Sequence, residues 1–97
     1  MRIKSMNNES LNNILRKVDE VVYSYRGTYL KNIEEAILIG SLKNQTYLAI
    51  AEANGYSEKY IAQNAGFKFY RLLSKALGKP VNKNTINAAI RRLMSEE

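Results

Sequence analysis

Residues 46–73 read TYLAIAEANGYSEKYIAQNAGFKFYRLL, and the way this stretch folds decides the rest of the chain. Thr46 stands where a helix N-cap belongs, so a short helix is expected over residues 47–53. Gly55 accepts the positive φ of a sharp corner. Ser57 is a second N-cap, and Glu58 puts a carboxylate into the first turn that follows. Beyond it, Ile61, Ala65, Phe69, Leu72, Leu73 and Leu77 hold a helical period as far as Gly78, where Lys79-Pro80 ends the helix. A small residue where two helices cross (Ala51), a glycine corner and an apolar anchor on the second helix (Ile61) are the physical needs of a helix-turn-helix. Ile50 and Tyr56 occupy the flanking apolar positions, and the unit covers about residues 46–77.

Upstream, Leu11, Ile14, Leu15, Val18, Val21, Val22 and Tyr25 have the spacing of one helix face. Ser10 and the asparagines before it can cap that helix, and Gly27 can stop it. A second pattern runs through Ile33, Ala36, Ile37, Gly40 and Ser41, with Leu30 stapling its entrance and Asn44 ending it in the left-handed conformation. The small residues Ala36, Gly40 and Ser41 predict that another helix crosses closely there. Downstream, a last helix capped by Asn82 is expected to bury Ile86, Ala89, Ile90 and Leu93. Strand-like alternation is absent. The expected fold is all-α: about five helices in one compact domain over residues 9–95, with a central helix-turn-helix and an N-terminal tail at residues 1–8.

The chain has 97 residues, enough for one modest core, and a net charge of +6. From Ser57 to Arg92 the basic residues are Lys59, Lys68, Arg71, Lys75, Lys79, Lys83, Arg91 and Arg92, against Glu58 alone. Positive charge therefore segregates with the corner and its second helix, which favours a polyanionic partner. Without cysteine or histidine the chain lacks a thiolate nucleophile, the usual general base and the commonest metal ligand. No Gly-rich phosphate loop or paired-carboxylate motif is present, so neither catalysis, nor a cofactor, nor a metal site is expected. No apolar run could serve as a signal peptide or membrane span, so a cytoplasmic location is expected.

Several segments together resemble a known cyanobacterial family. Thr46-Tyr47, Ile50-Ala51, Gly55-Tyr56-Ser57, Tyr60-Ile61 and the run from Gly66 to Ser74 carry the likeness, with Glu35-Ala36-Ile37-Leu38 and Gly40 upstream. Ala76-Leu77-Gly78, Val81 and the segment from Asn84 to Ala89 extend it downstream. The chain is similar to the N-terminal helix-turn-helix domain of the vWA-MoxR-associated proteins, which is laid out like the DNA-binding domains of LuxR-type regulators and sigma-factor region 4. That resemblance implies double-stranded DNA as partner. Such a domain usually heads a longer protein with NTPase, protease or repeat modules, so the chain reads as a stand-alone relative or as a piece of such a protein. Asn54 departs from the leucine usual at its position, which is expected to loosen the corner. Ala62 and Gln63 stand where relatives carry more strongly polar or charged residues.

On a helix starting near Ser57, the face opposite Ile61 and Ala65 presents Lys59, Ala62, Gln63 and Gly66. Its first turns would enter the major groove, with Gln63 on an adenine edge, Lys59 on guanine and the Ala62 methyl on thymine. Gly66 either admits a backbone or phosphate or lets two helices pack closely. Thr46, Tyr47, Ser57, Tyr60, Lys68 and Arg71 are expected to meet phosphates, fixing register without reading sequence. Phe67, Phe69 and Tyr70 read as core or interface residues. Seven tyrosines are many for so small a core. Tyr23, Tyr29 or Tyr70, with Ile39, would then mark a partner surface. Two functions follow: a small DNA-binding domain of a transcriptional regulator or larger signalling protein, probing paired half-sites as a homodimer, or an adaptor module that binds protein and no nucleic acid.

Overall fold

The structure is a computed structural model and describes residues 8–96. Five helices follow one another: α1 (Asn8–Arg26), α2 (Asn32–Leu42), α3 (Tyr47–Asn54), α4 (residues 58–77) and α5 (Ile86–Ser95). Among the described residues there is no strand. The expected tail lies outside the described residues except for Asn8, with which α1 opens. Ser10 therefore sits inside the first turn and is not the cap. Gly27, Asn44, Gly55 and Gly78 all have positive φ, at the four places where the chain must leave a helix.

The hub is α2, whose sequence NIEEAILIGSL is apolar nearly all round after its acidic first turn. Ile37, Leu38, Gly40, Ser41 and Leu42 are all buried, so burial extends beyond the single stripe its spacing suggests. Helix α3 crosses it at Gly40, as the small residues there predict. A Cβ on Gly40 would lie 2.4 Å from Cγ1 of Ile50, so no larger residue fits without moving that fully buried side chain. Val18 and Val22 of α1, Phe69 and Leu73 of α4, and Ile86 and Ile90 of α5 complete the core around it. Tyr25, placed by spacing on the buried stripe of α1, is 51% exposed, because Val22 is the last buried residue of that helix.

A clamp fixes the α1–α2 connection. The Arg26 guanidinium donates to both Glu34 carboxylate oxygens at 2.8 and 2.9 Å. It also donates to the Thr28 hydroxyl and the Tyr29 carbonyl. The same carboxylate accepts the Lys31 backbone N–H at 2.7 Å, satisfying an orphan donor at the start of α2. Burial pushes the Glu34 carboxyl up, but the Arg26 hydrogen bond, the Lys31 backbone bond and both cations outweigh it and hold it below its ordinary value.

The connection to α5 is a built turn. Asn82 does not cap the helix itself. Its side-chain oxygen accepts the N–H groups of Asn84 and Thr85 at 2.8 and 3.1 Å, closing a turn after which α5 begins at Ile86. The Ser74 hydroxyl ties this loop to α4 by donating to the Tyr70 carbonyl and accepting the Val81 N–H.

Candidate nucleic-acid interface

The corner forms as its residues dictate. The Thr46 hydroxyl accepts the Ala49 N–H at 3.0 Å and starts α3. Gly55 takes φ 77°, and the Tyr56 N–H returns to the Ala51 carbonyl at 2.9 Å. The Asn54 side-chain amide donates to the Ile50 carbonyl at 2.7 Å, serving an acceptor at the helix end. The Ser57 hydroxyl then accepts the Tyr60 N–H at 3.1 Å and opens α4. Tyr56 is no apolar anchor; it is 41% exposed and stacks on Tyr60, ring centroids 5.5 Å apart.

Helix α4 is not a plain α-helix. Glu58–Tyr60 leads into a π-helical turn at Ile61–Ala65, and Gly66–Leu77 continues as α-helix. The Gly66 N–H reaches back five residues to the Ile61 carbonyl. A Cβ on Gly66 would lie 2.5 Å from that carbonyl oxygen and 3.4 Å from Cε1 of Tyr47. Gly66 is therefore buried, and its exposure on the outer face is corrected: its lack of a side chain admits its own helix's backbone and the Tyr47 ring. Ile61, Ala65, Phe69 and Leu73, spaced strictly by four, all lie on the core, and the wide turn spans the first of these steps. In a plain α-helix each such step would drift by roughly 40°.

Opposite that stripe, Ser57, Glu58, Lys59, Tyr60, Gln63 and Asn64 are all exposed. Ser57, Lys59, Tyr60, Gln63 and Asn64 line one shallow hollow of about 320 Å³. Two of the three base-reading candidates, Lys59 and Gln63, thus share one hollow. Ala62 is half-buried and lines a second, larger groove with Tyr47, Phe67 and Arg71. Lys68 and Arg71 are exposed further along the rod. Among the described residues, Lys59, Lys68 and Arg71 take part in no ion pair.

Thr46 and Ser57 are exposed, and each hydroxyl oxygen is taken by its cap, which leaves the O–H free to donate outwards. Tyr47 is half-buried and its hydroxyl turns inward to Tyr70, whose own hydroxyl is hydrogen-bonded to Ser41. Burial raises both phenols, Tyr70 to about 12. Tyr70 is 7% exposed, which removes it from the expected partner surface. Tyr23 and Tyr29 are open, 47% and 60% exposed, with ring centroids 4.5 Å apart. Ile39 is half-buried.

Asn64 was missed, although plain helical spacing sets it as far from the Ile61–Ala65 stripe as Ala62, so the signal was there to be read. Lys83, whose Nζ lies 5.4 Å from the Tyr47 ring centroid, was also missed, since only the fold brings the loop to α3.

A capped short helix, a glycine corner and an open, cation-flanked second helix packed on a three-helix support define a helix-turn-helix domain. The chain belongs to the family of vWA-MoxR associated protein N-terminal HTH domains, which it matches over residues 9–93. No curated protein and no solved structure matches it. No helix among the described residues is long and apolar enough to cross a membrane.

Proposed function

We propose that this domain binds double-stranded DNA, with the first turns of α4 in the major groove. The observation that carries this is the row of Lys59, Gln63 and Asn64, open to solvent at the leading end of a rod whose opposite face is locked into the core. Lysine suits guanine, and the two amides suit adenine. The cations Lys68 and Arg71 then lie along the strands, and the carboxylate of Glu58 interacts with the dipole of its own helix. In this role the domain serves as a cytoplasmic transcriptional regulator or as the DNA-binding head of a larger signalling protein, paired on two half-sites. It has no catalytic part in the process.

The test is selection of bound sequences from random duplexes. Changing Lys59, Gln63 or Asn64 to Ala should relax preference at separate base pairs, each by about 1–3 kcal/mol. Arg71→Ala should weaken all sequences alike. Absence of any duplex binding at low salt contradicts the proposal.

A second function, recruitment of a protein partner, is favoured by the exposed Tyr23–Tyr29 pair, which joins the end of α1 to the α1–α2 connection. Its mark is a complex that survives high salt and is lost on changing both tyrosines to Ala.

A further inference from the structure

The groove between α4 and the 79–85 loop, about 460 Å³, lies beside the row of base-reading candidates and has a charge pattern of its own. Tyr47 and Phe67 wall it, and Arg71, Lys83 and Asn84 are among its polar groups; no acidic side chain lines it. Each cation rests on an aromatic ring: the Arg71 guanidinium carbon is 6.0 Å from the Phe67 centroid, and Lys83 Nζ is 5.4 Å from that of Tyr47. Among the described residues neither cation is in an ion pair. The scaffold beneath is tied down, because Ser74 binds the loop at Val81 and the Asn82 side chain closes the following turn. Two cations from separate elements, held on rings with no anion between them, make a seat for an anion.

Ala62 lines this groove as well, so it begins at the flank of the turns that carry Lys59 and Gln63. A strand whose bases face those turns must carry its phosphates past that flank. We propose that one phosphodiester of the bound duplex sits in this groove, gripped by Arg71 from α4 and Lys83 from the loop, with its deoxyribose against Tyr47 and Phe67. The 79–85 loop is then a second DNA-contacting element. This inference rests on the DNA-binding function above. It also accounts for Phe67, an aromatic side chain 60% exposed with no core to cover it.

The experiment measures affinity for a short duplex between about 50 and 200 mM salt for the wild type, Lys83→Gln, Asn84→Glu and Arg16→Gln. Arg16 lines none of the groove and controls for loss of one positive charge. Lys83→Gln should lose about tenfold in affinity on every sequence. The slope of log affinity against log salt should flatten by about 0.9. Asn84→Glu, at an exposed position, should lose as much, while Arg16→Gln stays within about twofold. If Lys83→Gln and Asn84→Glu match the wild type, or Arg16→Gln falls as far, the groove contact is overturned and DNA binding stands. If the wild type binds no duplex at about 50 mM salt, both are overturned.

Discussion

Gly66 and the carbonyl of Ile61 hold each other in place: the glycine N–H closes the π turn on that oxygen, which sits 2.5 Å from where a Cβ would be. The turn sets the rotation of Lys59, Gln63 and Asn64 relative to the core. Gly66→Ala must therefore move backbone and not merely a flexible side-chain tip. It should cost about 1–3 kcal/mol in chemical denaturation. DNA affinity should fall further than the lost folded fraction explains, because the leading turns are re-aimed. An alanine variant with wild-type stability and affinity would remove the π turn from the account.

The contrast between what was readable and what was not follows from the range of the interactions. Thr46, Gly55, Ser57, Gly78 and Asn44 act on backbone within a few residues, so the corner, the caps and the helix ends could be read directly. Periodicity likewise placed Val18, Ile37, Phe69 and Ile90 inside. Contacts between segments distant in sequence could not be read this way. The Arg26–Glu34 clamp and the Ser41–Tyr70–Tyr47 chain of hydroxyls depend on how α1, α2, α3 and α4 meet. Tyr56 and Tyr25 fell on the wrong side of the surface because an amphipathic ring suits either environment. For the site, Lys59 and Gln63 came from simple helical geometry, which exposes Asn64 as well, whereas the π turn beside it depends on the contact between Gly66 and Tyr47 and could not be read.

The buried hydroxyl chain should leave a mark at alkaline pH. Burial lifts the Tyr70 phenol to about 12, while an unfolded tyrosine titrates near 10. The folded state then holds the proton more tightly. This contribution to stability is complete below about pH 10 and is lost as pH rises from there towards about 12. Melting temperature followed across that window should drop less steeply in Tyr70→Phe than in the wild type. At neutral pH the variant should be less stable by about 1–3 kcal/mol, because the buried Ser41 hydroxyl loses its partner. Equal pH slopes for the two proteins would count against a buried neutral phenol.

Acid should act through the Arg26–Glu34 pair. Because the Glu34 carboxyl titrates below its ordinary value in the fold, its contribution is present above the unfolded carboxylate range. It disappears as pH falls through the folded value. Arg26→Ala removes the bidentate pair together with the bonds to Thr28 and Tyr29, and should cost about 2 kcal/mol at neutral pH. The stability gap between wild type and Arg26→Ala should narrow as pH falls from about 7 into acid, down to what the bonds to Thr28 and Tyr29 contribute. A constant gap at all pH values would mean that the Arg26 stem, and not its charge, holds the connection.

The proposed DNA contact is open to direct measurement by backbone amide NMR during titration with duplex at low salt. The largest shifts should fall on Ser57, Lys59, Tyr60, Gln63 and Asn64, with a second set at Arg71 and Lys83, while Tyr23 and Tyr29 stay still. Shifts centred on Tyr23 and Tyr29, or a spectrum unchanged by excess duplex, would contradict a role for the leading turns of α4 in reading the groove.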